Sequence, residues 1–210
     1  MYANRIHLVS GEKGVGVNLG NLNARQGDIT LDANGKLVLN NSLSSGALTV
    51  KADSAELGGD NKASGTATVT AQNGIALNSG SLVSDKTVAL EGGERVQLSG
   101  AQVTAGEDIR LAGAELSVDK NSTADAAGNI SLTAQHSASS QNALADNISQ
   151  NAQSDAADAV TTAAQGKVAN AGQLTAGRNI TLNADAADNS GALVAKGTLT
   201  AKAKQLTNSG

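Results

Sequence analysis

Few side chains in this sequence can perform acid–base, nucleophilic or metal chemistry, and they lie far apart. There are two histidines, His7 and His136, and no cysteine. A zinc site or an activated nucleophile would have to combine carboxylates with one imidazole at a time. His7 is the middle residue of an aliphatic-His-aliphatic triplet, which predicts an outward position on a strand. We predict no catalytic, cofactor-binding or metal-binding residues, no enzyme activity and no cofactor.

Two other features could mark a site. Residues 57–61 (LGGDN) are similar to the glycine-rich repeats that hold calcium, but the pattern occurs once, and those sites are built by repetition. Arg110 is a charged residue at an outward position, and its counterparts one period away are Ala89 and Ser131. Glycosidic chemistry needs paired carboxylates, and none stands beside this arginine. We interpret the glycine-rich stretch as a corner.

Charge is scattered along the chain. Lys and Arg number 15 against 19 acidic residues, for a net charge of −4, and no basic run could follow a phosphate backbone. The densest basic cluster, at Lys196, Lys202 and Lys204, suits the protection of a strand edge. Residues 1–18 lack the basic start and apolar run of a signal peptide, and no stretch approaches the roughly 18 apolar residues of a membrane span. Nucleic acid and a membrane span are therefore not expected.

The elements that position these residues follow from a repeat. Pairs of the form aliphatic-x-aliphatic recur at intervals of 19, 21, 19, 21, 21, 50 and 19 residues. Each alternation predicts a short strand with one buried face. The first members of the pairs are Ile29, Leu48, Val69, Val88, Ile109, Ile130, Ile180 and Leu199.

Two further sets of small or apolar positions keep step with these pairs, one before and one after each strand. A period of about 20 residues has no room for a helix and a strand together but suits three short strands, which predicts a parallel β-solenoid with like positions stacked. The preceding set is Leu22, Leu43, Ala63, Leu82, Val103, Ala124, Leu174 and Leu193, and the following set is Leu37, Leu57, Ile75, Val96, Leu116, Ala187 and Leu206.

The composition agrees with a thin, stacked interior. The chain has no Phe, no Trp and one tyrosine, Tyr2, so bulky rings do not fill its core. It has 24 glycines for tight corners and no proline, which would remove a hydrogen bond between strands. We expect every turn of the chain to pair on both sides.

Certain corner phrases are repeated almost letter for letter. Residues 104–111 (TAGEDIRL) match 175–182 (TAGRNITL), with 24–31 (ARQGDITL) as a looser copy, and Asn-Ser-Gly occurs at 78–80, 189–191 and 208–210. These phrases resemble the haemagglutinin repeats of filamentous haemagglutinin and related two-partner-secreted exoproteins, which include adhesins and contact-dependent growth inhibition stick proteins.

This resemblance implies an all-β fold, a right-handed parallel β-helix, here of about eight coils. It implies a secreted protein at the cell surface of a Gram-negative bacterium, and we interpret the chain as an internal slice of a longer filament. The implied partners are an outer-membrane transporter during export and, for the full-length protein, a receptor on a host or target cell.

The 50-residue interval predicts an insertion. No glycine occurs from 129 to 165, and apolar residues fall every four positions there, which favours a helix over 142–165, either unbroken or broken near 151–154. The predicted domains are β-helix coils at 1–134, an inserted and helical segment at 135–172, and further coils at 173–210. The insert could pack on the solenoid, project as a binding element or be disordered. The binding residues of a projecting helix would be Leu144, Ile148 and Val160.

The function expected from these observations is a structural shaft segment of a secreted cell-surface filament, which serves adhesion or presents a distal toxin or binding domain. A receptor- or partner-binding module that acts through the inserted segment is the alternative. A β-helix enzyme acting on polysaccharides is a third candidate, since the fold alone does not determine activity.

Overall fold

The computed structural model describes residues 1–134, 149–156, 159–162, 167–170, 173–176, 179–195 and 197–209. All regular structure in these ranges is β-strand, and the strands pair in parallel. The strands are β1 Tyr2–Ala3, β2 Ile6–Ser10, β3 Val17–Ala24, β4 Ile29–Ala33, β5 Lys36–Ser44, β6 Leu48–Ala63, β7 Ala67–Ser84, β8 Val88–Gly92, β9 Arg95–Ser99, β10 Gln102–Ala105, β11 Ile109–Gly113, β12 Glu115–Ala126, β13 Ile130–Ala134, β14 Ser149–Ala156, β15 Ala159–Thr162, β16 Lys167–Asn170, β17 Gln173–Ala176, β18 Asn179–Asn189, β19 Ala192–Ala195 and β20 Leu199–Asn208.

Each turn of the chain passes through three faces, and each face pairs with the same face one turn later. In the turn that begins at Ile29, the first face is β4, the second is 36–40 and the third is 42–44. Since the chain advances one strand spacing for each turn, the result is a β-solenoid. No helix in the described part of the chain is long and apolar enough to cross a membrane.

The first face confirms the predicted stacking. Ile109 pairs with Val88 on one side and with Ile130 on the other. The side chain of Ile109 is fully buried, and that of Ile130 is 1% exposed. Threonine and other polar residues between the inward positions face outward, as strand alternation requires.

The second and third faces complete a narrow aliphatic interior. The second and third faces each have two inward columns, and one column of the third face consists of alanine and serine alone. The columns of the second face are Leu37, Ala55, Ile75, Val96 and Leu116, then Leu39, Leu57, Leu77, Leu98 and Val118.

Three predicted ladder positions are wrong by one step of the alternation. Ala63 stacks between Ser44 and Ser84, so Asn61 and not Ala63 is the counterpart of Leu82. Val69 stacks on Val50, so Ala67 and not Val69 is the counterpart of Leu48. Leu57 stacks on Leu39 and so belongs to the neighbouring column of the second face. A shift of two residues keeps the same face inward, and spacings that vary between 19 and 21 cannot resolve it.

Leu43 is a further correction, because it faces outward and is 44% exposed. The inward position is taken by Ser42, which is 4% exposed and donates a hydrogen bond to Asn61 Oδ1 at 2.9 Å. Asn61 in turn donates to the Gly58 carbonyl oxygen at 2.9 Å. The buried polar pair is therefore satisfied, which is the condition for tolerating it in an aliphatic column.

The predicted helical insertion is wrong in the described residues. Residues 149–156 and 159–162 are strands β14 and β15, which pair with the turns on either side. Val160 pairs with Ile130 and with Ile180. The 50-residue interval is thus one turn of 30 and one of 20. A period of four residues in an alanine-rich stretch does not by itself distinguish a helix from short strands.

Candidate functional site

Of the residues singled out in the sequence, the structure describes His7, Arg110 and the backbone of Val160. His7 is exposed, which confirms its predicted outward position, and it pairs with Thr30 of the next turn. His136, Leu144 and Ile148 lie outside the described residues. The backbone of Val160 occupies the register position of Ile130 on the first face. Among the residues that the structure describes, no group of three His, Cys, Asp or Glu side chains could hold a metal ion.

Arg110 pairs with a carboxylate that its column did not reveal. Its guanidinium lies 2.8 Å from Oδ2 of Asp108, the residue that directly precedes β11. The other oxygen, Oδ1, accepts hydrogen bonds from the backbone N–H of Asn129 at 2.8 Å and from its side-chain amide at 3.0 Å. Asp108 therefore ties one turn to the next, and the arginine is its surface partner.

This link between turns recurs and explains the repeated phrases. Asp28 Oδ1 accepts from the Ala47 N–H at 2.8 Å, 19 residues on. Asn179 Oδ1 accepts from the Thr198 N–H at 2.7 Å, also 19 residues on. Each acceptor immediately precedes the first inward residue of its first face. The Asp or Asn of the repeated phrase thus satisfies a corner N–H of the following turn, a role that its recurrence before isoleucine could have indicated.

A second corner is organised by Asp119. Its carboxylate accepts hydrogen bonds from Ser122 Oγ at 2.7 Å, from the Gly100 and Asn121 N–H groups at 3.1 and 3.0 Å, and from Ser99 Oγ at 3.1 Å. Partial burial disfavours the charged form, but these hydrogen bonds together outweigh burial and lower the pKa of Asp119. The site is a backbone brace between two turns.

The outward side of the second face carries a shallow groove of about 290 Å³. Its floor is made by small residues that include Ser54 and Gly74. On one side Lys36 Nζ lies 2.6 Å from Glu56 Oε2. A hydrogen bond from Lys36, then one from Asn78, lowers the pKa of Glu56. Both charges of this pair are satisfied by each other.

A second groove, of about 190 Å³, lies on the third face near its corner with the second. Its lining combines one aromatic ring with amides and a carboxylate. The residues are Tyr2, Asn21, Leu22, Asn23, Asn41, Ser42, Leu43 and Asp60. The spacing rules gave no signal for it, because most of its members face outward and they come from four successive turns.

The inner column of the second face changes character in the last turns. Asn170, Asn189 and Asn208 stack in register where earlier turns have leucine or valine. Asn189 is 5% exposed and donates to Asn208 Oδ1 at 2.7 Å and to the Gly191 carbonyl at 2.8 Å. The buried amide of Asn189 is thus satisfied by Asn208 and Gly191 although it stands in an otherwise aliphatic column.

These features define a class: a parallel β-solenoid whose described surface is organised for stacking, with no assembled catalytic centre in the described ranges. Residues 1–41 match the family model described as Haemagglutinin repeat. Together with the matches below, this confirms the resemblance to filamentous haemagglutinin-like exoproteins that the repeated phrases indicated. Proteins of this family are secreted and exposed at the surface of Gram-negative bacteria, so the predicted location is confirmed as well.

The relatives are large CdiA proteins. The chain is 59% identical over 86 residues to "tRNA nuclease CdiA" of Escherichia coli strain NC101, which is 41% of this chain and 3% of that protein. It is 58% identical over 85 residues to "16S rRNA endonuclease CdiA" of Enterobacter cloacae, with 40% and 3% covered. It is 65% identical over 40 residues to "tRNA nuclease CdiA-2" of Burkholderia pseudomallei, with 19% and 1% covered. No solved structure matches.

The matched stretches span only 1–3% of the length of these relatives. The nuclease activities in their names are therefore statements about much longer proteins.

Proposed function

We propose that this chain is a shaft segment of a secreted surface filament that holds a distal toxin or binding domain away from the cell. The observation that supports this most directly is the in-register stack of parallel strands, which runs from Ile6 on the first turn to Leu199 on the last. A stack that buries its core one turn on the next can be extended without limit. Length is then the property that the fold supplies.

The energetics suit a passive shaft. Each inward aliphatic side chain contributes roughly 1.5 to 3 kcal/mol by burial against its neighbours above and below. Since contacts join adjacent turns, the chain can fold progressively as it leaves a pore. This property supports export through an outer-membrane transporter, which we propose as its partner, with a receptor on a host or target cell engaged by the full-length protein.

The dimension of the rod tests the proposal. Four added in-phase copies of residues 67–87 should lengthen the particle by about 19 Å, because each turn rises by about 4.8 Å. Small-angle scattering of the purified chain measures this length, and electron cryotomography of cells that display the parent filament measures the reach of its distal domain. We expect both to grow while the cross-section stays constant.

The matched control is an insertion of the same number of Gly and Ser residues after Thr66. This insertion should add no rigid length to the particle. If the in-phase copies widened the particle instead of lengthening it, or left the reach of the distal domain unchanged, the shaft function would be refuted.

We propose a second candidate function, a partner contact in the stretch between β13 and β14. Sixteen residues separate Thr133 from Gln150, whereas six separate Thr70 from Leu77, which occupy the same register positions three turns earlier. Leu144 and Ile148 belong to this extra stretch, and the register of Val160 favours a place in the first-face column instead.

Deletion of residues 137–146 tests this contact, because it shortens the long turn to the common period. Loss of target-cell attachment with an unchanged β signal in circular dichroism would support the contact. Full attachment would exclude it, and the shaft proposal would stand unaffected.

A further inference from the structure

We propose that the 190 Å³ groove on the third face binds a neutral sugar ring of a cell-surface glycan. We refer to it as the Tyr2 groove, lined as given above. The proposal does not rest on the shaft function, since it follows from the side chains that this surface presents.

The Tyr2 groove offers apolar contact area at a surface otherwise formed by polar residues. Tyr2 is 70% exposed, and Leu43 is 44% exposed although it belongs to a strand. The Arg25 guanidinium lies 5.8 Å from the centroid of the Tyr2 ring and orients it by a cation–π contact. A pyranose has apolar C–H faces, which stack on exposed aromatic and aliphatic side chains of this kind.

Polar groups with unused hydrogen-bonding capacity surround this apolar area. Within the described chain the side-chain amides of Asn21 and Asn23 make no hydrogen bond. Asn41 uses its Oδ1 to accept from the Asp60 N–H at 2.9 Å, which leaves its NH2 group. Asp60 uses one oxygen to accept from Ser81 at 2.8 Å, which leaves the other. The rim thus offers both donors and acceptors, which the hydroxyl groups of a sugar can use.

The backbone holds these groups in place. Asn21 and Asn41 stand in the left-handed region, with φ of 54° and 61°, at the same corner of successive turns. Gly59 follows with φ of 59°, and a side chain there would overlap Asn41 Oδ1. The volume is below that of a drug-sized pocket and suits a single ring.

The groove stays accessible when turns stack. Tyr2 pairs with Asn23, which lies between the inward residues Leu22 and Ala24, so both Tyr2 and Asn23 face outward. Further turns add along the axis and leave the outward side uncovered.

Tyrosine fluorescence reports on this site alone, because Tyr2 is the only tyrosine of a chain that has no tryptophan. We would titrate the whole chain with methyl β-galactoside, methyl α-mannoside and methyl β-N-acetylglucosaminide, and follow tyrosine fluorescence and the side-chain amide NMR signals. We expect at least one probe to give a saturable change with a Kd on the order of 1 mM, confined to the amides of the Tyr2 groove. No change with any probe at a concentration about fiftyfold above that expected Kd would refute the proposal.

Two variants complete the test. Asn23→Ala should weaken binding about fivefold, the effect of one lost hydrogen bond. Asn18→Ala, an exposed asparagine on the second face, should leave it unchanged. Equal effects of both variants would refute the site. Binding of sialic acid alone, lost in Arg25→Ala, would refute a neutral-sugar site in favour of an anion contact.

Discussion

Ile109 shows what one residue contributes in a stacked core. It is fully buried between Val88 and Ile130, so it supports the turn before and the turn after its own. Arg110, the next residue, faces water and bonds to Asp108. Adjacent residues of one strand therefore contribute very differently to the stability of the fold. The alternation of apolar and polar residues in the sequence predicted this difference.

Replacement of Ile109 by alanine should lower the free energy of unfolding by about 2–5 kcal/mol, because a narrow core cannot collapse around the cavity. Arg110→Ala is the matched control and should change it by less than about 1 kcal/mol. Urea unfolding followed by circular dichroism measures both. Similar losses in the two variants would contradict the inward position of Ile109.

Asp119 should make stability depend on pH. Its pKa is lower in the folded chain than in the unfolded chain, so its contribution is present above the unfolded pKa of about 3.9 and is lost as pH falls through the folded pKa. Asp119→Asn should therefore be less stable than the parent at neutral pH, and the difference should shrink below about pH 4. Urea unfolding from pH 7 to pH 2 measures it.

The control for this prediction is Asp32→Asn. Asp32 is exposed and its carboxylate accepts no hydrogen bond within the described residues, so its replacement should not make stability depend on pH in this way. A difference between parent and Asp119→Asn that stayed constant down to pH 2 would show that the corner depends on the shape of the side chain and not on its charge.

At the scale of elements, the strands were predictable and the corners were not. The alternation of Ile109 and Leu111 identifies a strand from local sequence alone. Where a corner lengthens or shortens, local sequence does not say by how much, and for this reason Leu43 was predicted to face inward. The buried Ser42–Asn61 bond that replaces it is a long-range contact, invisible to any spacing rule.

The same limit applies to the candidate sites. The absence of clustered histidine and cysteine could be read directly from the sequence. The Tyr2 groove could not, since Tyr2, Asn41 and Asp60 meet only after the turns are stacked in the correct register.

Corner glycines that lie close to the backbone of a neighbouring turn should tolerate no side chain. A methyl group at Gly106 would overlap the carbonyl oxygen of Asp85, whereas one at Gly11 would meet nothing within 4 Å. Gly106→Ala should lower the free energy of unfolding by about 1–3 kcal/mol through overpacking, and Gly11→Ala should not. Thermal unfolding of the two variants compares them, and equal melting temperatures would contradict the close approach.

At the scale of the whole molecule, the solenoid is a series of similar units joined only to their neighbours. Ala67 and Val88 occupy the same column of the first face, and the N–H of Ala67 donates to Thr87 just as that of Leu48 donates to Thr66. A complete turn therefore begins and ends at equivalent positions. If one such turn is removed, the turns before and after it come into contact. Each of them already pairs with a turn of similar shape, so they can pair with each other.

Deletion of residues 67–87 should leave a folded, slightly shorter solenoid, because Val88 would then stack on Leu48. Deletion of residues 67–76, about half a turn, places outward residues over inward columns and should abolish cooperative unfolding. Circular dichroism and urea unfolding distinguish the two outcomes. Unfolding of the first variant, or a stable second variant, would contradict the nearest-neighbour organisation.

The variation of the period between 19 and 21 residues, absorbed at the corners, has a consequence for inheritance. Unequal exchange between repeated stretches of a coding sequence gains or loses whole repeats, and here most such events would join equivalent positions of two turns. The resulting proteins would still fold and would differ in reach. A lineage carrying this architecture can thus vary the distance between its surface and the objects it touches without inventing any new structure.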